Sequence, residues 1–176
     1  MVSVVLLYVG AVLFCNGIWL LGRISDKEIR IINIFTGSTN VIISIIAITI
    51  AEIQGDFALI VFSAQILLFA FTYLWVAFNN HTEADGRGLG WFCLFVALTA
   101  APTSALTLQN AGSDPWLIWL GFNWAAWAVL WFLYWGLLAA AWPIQRITGY
   151  VTTIEGILTG WLPAYLVMMG FLSLPS

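Results

Sequence analysis

The amino-acid sequence predicts an all-α integral membrane protein with six transmembrane helices. Hydrophobic residues make up 62% of the 176 residues, charged residues only 7%, and the mean hydropathy is +1.01. Soluble chains carry about 25% charged residues. The apolar residues form long runs without the alternation that membrane-spanning strands need. These observations exclude a soluble globular fold, a disordered chain and a basic nucleic-acid-binding protein.

Six apolar runs are long enough to cross the hydrocarbon core, which takes about 20 helical residues. Residues 2–22, 31–51, 57–80, 88–108 and 115–141 contain no charged side chain, and residues 147–174 contain one, Glu155. We expect helices, because helices satisfy their own backbone hydrogen bonds in lipid. The first run is too long for a signal-peptide core and lacks a basic leader, so we expect it to remain as helix one. Residues 1–176 are expected to form a single transmembrane domain.

Five short connections join the runs, and the basic residues are confined to alternate ones. All basic residues lie in connections one, three and five: Arg23, Lys27, Arg30, Arg87 and Arg146. Connections two and four carry acidic residues without any basic one: Glu52, Asp56 and Asp114. Cytoplasmic loops are enriched in lysine and arginine, so we expect the odd connections to be cytoplasmic and both termini to face outward.

A weak internal repeat relates the odd helices. In each of them a phenylalanine precedes an arginine at the next helix by 16, 16 or 14 residues: Phe14 and Arg30, Phe71 and Arg87, Phe132 and Arg146. The pattern predicts three helical hairpins around a pore, with helices one, three and five at equivalent positions. The alternative is that any three hairpins with basic turns show such spacing.

Helix five carries a tryptophan stripe that is a candidate pore wall. Trp124, Trp127, Trp131 and Trp135 are spaced by three, four and four residues, which places them on one helical face. Tryptophan in membrane helices usually sits at the interfaces, but Trp127 and Trp131 lie near the middle of the run. One interpretation is a pore wall whose indole N–H groups face permeating molecules. The alternative is aromatic packing between helices.

Helices one and three offer further candidates for the path. Phe69 and Tyr73 are four residues apart on one face of helix three. The repeat places Leu13 of helix one level with Trp131, and Asn16 level with Tyr73. This agreement favours a shared axis. Asn16 has an alternative role as a hydrogen-bonding residue between helices.

Glu155 is the only acidic residue well inside a run, and an intramembrane acid is a candidate functional residue. It has no obvious basic partner within a run. One interpretation is a structural hydrogen-bond anchor, and the other is a role at the path. A proton relay would need a chain of titratable groups, which the sequence does not contain.

Groups needed for catalysis are scarce. The single histidine, His81, is in a connection, and the sequence has no metal-ligand cluster, no Ser–His pair and no phosphate-binding glycine loop. Cys15 and Cys93 lie inside apolar runs and predict no disulfide. We therefore expect neither an enzyme nor a cofactor or metal. A path lined by aromatic and leucine side chains suits a small neutral polar solute, because apolar walls penalise ions.

Stretches in four of the helices together carry a family resemblance. They are LYVG at 7–10 with Leu13 and NGI at 16–18, FTYL at 71–74, WAAWAVLW at 124–131, and IEGILT at 154–159 with Trp161 and PA at 163–164. The chain resembles the urea/amide channel family, AmiS/UreI. The similarity runs from helix one to helix six in order and covers nearly the whole chain.

The resemblance implies a passive channel for urea or short-chain aliphatic amides in the bacterial inner membrane, assembled as a homo-hexamer with membrane lipid in the middle. The implied pore residues are Leu13, Phe69, Tyr73, Trp124, Trp127 and Trp131, with the family's buried acid at Glu155. A cytoplasmic urease or amidase is a candidate functional link. The alternatives are a substrate–ion coupled transporter using Glu155 and a non-transporting membrane assembly protein.

The sequence departs from an acid-gated member of this family in one respect. That member has a longer, histidine-bearing outer loop between helices two and three, whereas this chain has only EIQGD at 52–56. Neither outer connection contains histidine. We therefore expect conduction that is independent of outside pH.

Overall fold

The computed structural model describes residues 1–172, and within them six long apolar helices are each able to span a membrane. They are α1 Val2–Leu20, α2 Asp26–Gln54, α3 Phe57–Thr82, α4 Arg87–Asn110, α5 Pro115–Leu138 and α6 Gln145–Met168. The predicted all-α fold with six spans is confirmed. The predicted end of the sixth span, at residue 174, lies outside the described residues.

Helix α2 begins five residues before its charge-free run because a capping residue precedes it. The side chain of Ser25 accepts a hydrogen bond from the Glu28 backbone N–H at 3.3 Å, and Asp26 and Glu28 favour the positive end of the helix dipole. With 29 residues, α2 is about 44 Å long at about 1.5 Å per residue. It therefore extends beyond a hydrocarbon core of about 30 Å.

The connection between α2 and α3 consists of two residues. Gly55 ends α2 in the left-handed conformation, with φ 68°, where a side chain would be strained. Asp56 then caps α3, and its carboxylate accepts from the Leu59 backbone N–H at 3.0 Å. The glycine that ends α2 and the aspartate that caps α3 together reverse the chain direction within two residues.

The six helices form a ring in which the closest packing lies between successive hairpins. The most extensive contacts join α2 to α3, α4 to α5, and α6 to α1, whereas helices joined by the basic connections touch less. The basic connections one, three and five define what we call the basic end of the bundle. The two termini and the other two connections define the terminal end.

Glycines let the first and last helices touch along their backbones. A Cβ added at Gly10 would lie 2.2 Å from the backbone nitrogen of Trp161, and one added at Gly160 would lie 2.4 Å from the Cα of Gly10. Gly17 meets Gly149 and Thr153 in the same way. Small residues permit this close approach in membranes, where packing and not water exclusion drives association. We call this contact the glycine seam.

The middle of α6 is not a regular α-helix. Gln145–Glu155 is α-helical, Gly156–Trp161 is π-helical, and Leu162–Met168 is α-helical again. Pro163 contributes to this change, because it has no N–H to offer the carbonyl four residues earlier. The sequence predicted a single helix here, and the span is continuous. The change from α-helical to π-helical hydrogen bonding within it was not predicted.

Candidate solute path

Two cavities lie along the axis of the bundle and are lined mainly by the odd helices. The terminal-end cavity has a volume of about 220 Å³ and is walled by α1, α3 and α5, including Leu6, Ile66 and Leu120. The basic-end cavity has a volume of about 30 Å³, enough for one or two water molecules. Helix α4 adds Leu89 and Cys93 to its wall. The odd helices therefore surround a common axis, as the repeat predicted.

Four aromatic side chains separate the cavities, and we call them the aromatic constriction: Phe69, Trp124, Trp127 and Trp131. The ring centroid of Phe69 lies 4.3 Å from that of Trp131 and 4.9 Å from that of Trp127, with interplanar angles of 80° and 83°. Phe69 and Trp127 line both cavities. The phenyl ring of α3 therefore packs edge-on against the tryptophan stripe of α5.

The structure brings the sequence-predicted path residues together on this axis. Leu13, Asn16, Tyr73 and Trp131 line the basic-end cavity, and Trp124 lines the terminal-end cavity. All of them, together with Phe69 and Trp127, are buried. Contact of these side chains with a permeating solute stays a prediction.

Tyr73 supplies the uncommitted polar group of the basic-end cavity. Its side chain is 3% exposed, and its hydroxyl has no hydrogen-bond partner among residues 1–172. The hydroxyl of Tyr134, on the same cavity, is hydrogen-bonded to Oγ1 of Thr152 at 3.2 Å. A buried hydroxyl without a partner costs free energy, so the Tyr73 hydroxyl is a ready site for a polar solute.

Asn16 has the inter-helix role that was left open as an alternative. Its Nδ2 donates to Oδ1 of Asn33 at 3.1 Å, and Nδ2 of Asn33 donates back to Oδ1 of Asn16 at 2.6 Å. Asn33 also donates to the carbonyl of Ile29 at 2.9 Å. This pair joins α1 to α2 at a point where the two helices otherwise touch little, although Asn16 also lines the basic-end cavity.

The Trp127 indole departs from the pore-wall interpretation in one respect. Its N–H does not face the path but donates to Oγ1 of Thr159 on α6 at 2.9 Å. The physical reason is the low-dielectric surroundings, in which a buried indole N–H needs a permanent acceptor. The ring itself still lines both cavities.

Trp135, the fourth member of the stripe, lines neither cavity among the described residues. Its ring centroid lies 5.1 Å from that of Phe132, 5.5 Å from that of Trp142 and 6.1 Å from that of Trp91. Aromatic packing accounts for the position of this ring, while its Nε1 has no hydrogen-bond partner in residues 1–172. Three tryptophans of the stripe therefore line the cavities, and the fourth packs against other aromatic side chains.

Glu155 lies at the start of the π-helical segment and is 9% exposed. Its Oε2 has no hydrogen-bond partner within residues 1–172, and its side chain is not part of either cavity wall described above. In the same part of the chain, no group of three or more His, Cys, Asp and Glu residues is placed to hold a metal ion.

Asn123 and Thr159 are site residues that the sequence analysis missed. Neither lines a cavity, but both link α5 to α6 behind the constriction: Nδ2 of Asn123 donates to the carbonyl of Thr159 at 3.2 Å. The one available signal was Pro163, four residues after Thr159, which cannot supply the N–H that the carbonyl of Thr159 would bind in a regular α-helix.

Comparison with known proteins agrees with this geometry. The family model described as AmiS/UreI family transporter matches residues 1–171. A Mycolicibacterium smegmatis protein named as a transporter of amidate substrates is 43% identical over 166 residues, covering 94% of this chain and 75% of that protein. The acid-activated urea channel of Helicobacter pylori (strain ATCC 700392 / 26695) is 32% identical, covering 96% of this chain and 98% of that protein. The crystal structure of the Helicobacter pylori urea channel superposes with a TM-score of 0.88 at 32% identity, over 98% of this chain and 100% of that chain.

Proposed function

Because this chain belongs to the AmiS/UreI family of transporters, we propose that it is a passive channel for urea and short-chain aliphatic amides. It is a multi-pass inner-membrane protein and not an enzyme, since its family consists of transporters and channels. The observation that carries the proposal is the pair of axial cavities that meet at the aromatic constriction.

The chemistry of the walls fits a small, neutral, planar solute. Within the described chain, the residues lining the two cavities include no charged side chain, so an ion would lose its hydration without compensation. Indole and phenyl faces can contact a planar amide on both sides. The Tyr73 hydroxyl can donate to the solute carbonyl or accept from its amide N–H.

Both solute classes belong to the proposal. The relatives are named for amidate substrates in one case and for urea in another. Urea and acetamide differ by an amino group in place of a methyl group, and one such small group is worth only about 1–3 kcal/mol in a pocket. A urease or amidase that consumes the solute in the cytoplasm would maintain the inward gradient that a passive channel needs.

The proposed orientation places the basic end in the cytoplasm and the terminal-end cavity outside. It rests on the segregation of all five basic residues to the odd connections. The proposed assembly is a homo-hexamer. Its support is the family resemblance.

We propose that conduction does not depend on outside pH, in contrast to the acid-activated relative. The terminal-end connection between α2 and α3 has only two residues. The single histidine of the chain, His81, lies at the basic end with its Nδ1 3.1 Å from Nη1 of Arg30. The proposed outer surface therefore has no histidine that could respond to acid.

The coupled-transporter alternative rests on Glu155, whose Oε2 has no hydrogen-bond partner among the described residues. A coupling residue has to meet the solute or the coupled ion, and Glu155 lies outside both cavity walls. This placement favours the passive channel. The assembly-protein alternative would leave the two axial cavities without a role.

Stopped-flow light scattering on proteoliposomes of the full chain tests the proposal. A channel gives solute uptake that rises nearly linearly with urea or acetamide concentration and is unaffected by ionophores. Saturable uptake that an ionophore abolishes would replace the channel by a coupled carrier. Uptake equal to that of empty liposomes for every solute would leave only an assembly role.

A further inference from the structure

Trp127 occupies the junction of the two cavities, and its orientation sets the width of that junction. Its ring centroid lies 4.9 Å from that of Phe69 and 5.2 Å from that of Trp124, and both pairs are nearly perpendicular. A rotation of the indole would change the gap beside Phe69. Whatever holds the indole in place therefore affects which solutes fit through the constriction.

A single hydroxyl on α6 holds the indole. Nε1 of Trp127 donates to Oγ1 of Thr159 at 2.9 Å, and Oγ1 donates in turn to the carbonyl of Glu155 at 2.6 Å. The hydroxyl has one proton, which the Glu155 carbonyl takes, so its lone pairs are free for the indole N–H. Thr159 is buried. Its hydroxyl is therefore fixed as an acceptor and does not rotate freely.

The backbone of Thr159 is fixed from the same side. In an α-helix its carbonyl would accept from the residue four positions on, but that residue is Pro163 and has no N–H. The carbonyl accepts a hydrogen bond from Nδ2 of Asn123 at 3.2 Å. Asn123 and Trp127 are four residues apart on one face of α5. Two neighbouring side chains of α5 thus bind two acceptors of one residue in the π-helical segment.

We propose that Thr159, supported by Asn123, is a positioning residue for selectivity. Its hydroxyl fixes the Trp127 indole and thereby determines the largest neutral amide that passes the aromatic constriction. The inference rests on the proposed channel function and adds to it the size discrimination between solutes. It assigns that discrimination to a residue outside both cavity walls.

The test compares urea with propionamide permeability in proteoliposomes of Thr159→Val, which keeps the branched shape and removes the hydroxyl. Loss of one hydrogen bond is expected to lower the urea-to-propionamide ratio roughly fivefold, because the freed indole lets the larger amide through. Thr159→Ser should restore the ratio. Thr49→Val is the matched control, since Oγ1 of Thr49 also donates to the carbonyl four residues earlier, at 2.9 Å, but on an exposed face.

A second variant removes the donor of the same hydrogen bond instead of its acceptor. Trp127→Phe keeps an aromatic ring and removes the N–H, so it should lower the ratio by itself and should abolish any further effect of Thr159→Val. An unchanged ratio in folded Thr159→Val, or an equally large effect of Thr159→Val in the Trp127→Phe background, would overturn the proposal. If Thr159→Val does not assemble, an unchanged ratio in Trp127→Phe would overturn the proposal.

An optical measurement separates this inference from the channel proposal. Ultraviolet resonance Raman spectra report hydrogen bonding of indole N–H groups, and one of the eleven tryptophans should lose its acceptor in Thr159→Val but keep it in Thr159→Ser. This readout needs no transport. If wild-type liposomes pass no solute, the channel proposal fails, and an unchanged Raman spectrum in Thr159→Val would separately refute the positioning role.

Discussion

The terminal-end and basic-end cavities are built from the same three odd helices but differ in size and polarity. The first holds about 220 Å³ behind largely aliphatic and aromatic walls, with Gln65 among the residues lining it. The second holds about 30 Å³ and is lined by four uncharged polar side chains: Asn16, Thr72, Tyr73 and Tyr134. A wide space admits a solute that keeps part of its water, whereas a narrow one admits it only without water.

Most polar side chains of the basic-end cavity are already hydrogen-bonded to other protein groups, and this sharpens the contrast. Three of the four polar side chains of the basic-end cavity already have protein partners, and Tyr73 alone has a hydroxyl without one in residues 1–172. Recognition of a dehydrated solute therefore falls to one hydroxyl and to the surrounding aromatic faces. Substitutions at the constriction and in the basic-end cavity should accordingly outweigh those elsewhere.

The largest expected effect comes from removing one ring of the aromatic constriction and so widening it. Trp131→Ala removes a buried indole 4.3 Å from Phe69, and we expect the urea-to-propionamide permeability ratio to fall roughly tenfold, equivalent to about 1.4 kcal/mol. Stopped-flow light scattering on proteoliposomes measures the ratio. The control is Trp142→Ala, at a 40% exposed tryptophan outside both cavity walls. Small and equal changes in the two variants would contradict the pore role of the stripe.

A smaller effect is expected from removing the free hydroxyl. Tyr73→Phe keeps the ring but removes a buried hydroxyl that has no hydrogen-bond partner in residues 1–172, so urea permeability should drop about fivefold, the equivalent of one hydrogen bond of about 1 kcal/mol. Thermal stability should stay the same or rise, because an unpaired buried hydroxyl is lost. Tyr165→Phe, at an exposed position on α6, serves as the control. Equal urea permeability in Tyr73→Phe and wild type would remove Tyr73 from the path.

Glu155→Gln should change passive permeability by less than about twofold. Glutamine keeps the shape and one acceptor of the side chain, and Glu155 lies outside both cavity walls. Solute flux and size-exclusion profiles of the purified variant are the measurements. Loss of flux from an intact oligomer would favour the coupled-transporter alternative. Loss of assembly would show that the carboxylate is a structural anchor.

The smallest effect is expected from a change of outside pH between 5 and 7.5. Histidine is the side chain whose ordinary pKa, about 6.5, lies in this range, and the only one in the chain is at the basic end. At that end, hydrogen bonds from Arg87 hold the pKa of Asp85 below its usual range, so this carboxylate stays ionised throughout. Uptake into oriented liposomes with clamped inside pH is the measurement. A several-fold rise centred near pH 6 would contradict ungated conduction.

Sequence reasoning reached the features that depend on local pattern. Charge-free runs predicted the six spans, and helical spacing placed Trp127 and Trp131 on one face of helix five and Phe69 with Tyr73 on one face of helix three. Where the structure differs, the cause lies in contacts between distant segments. The direction of the Trp127 N–H depends on Thr159, 32 residues away in sequence, and on a π-helical register that no periodicity reveals. Prediction of the Asn16–Asn33 pair would likewise have required knowing how α1 and α2 are shifted along their axes relative to each other.

The glycine seam also bears on how the chain is made. Gly10 lies on the first of the six helices, but its partner Gly160 follows 150 residues later in the sequence, on the sixth. Until this sixth helix is present, the first helix exposes to lipid a groove shaped for another backbone, and the ring is open on one side. The ring therefore closes only after the sixth helix has been made. A chain truncated before its sixth helix would keep this groove unfilled.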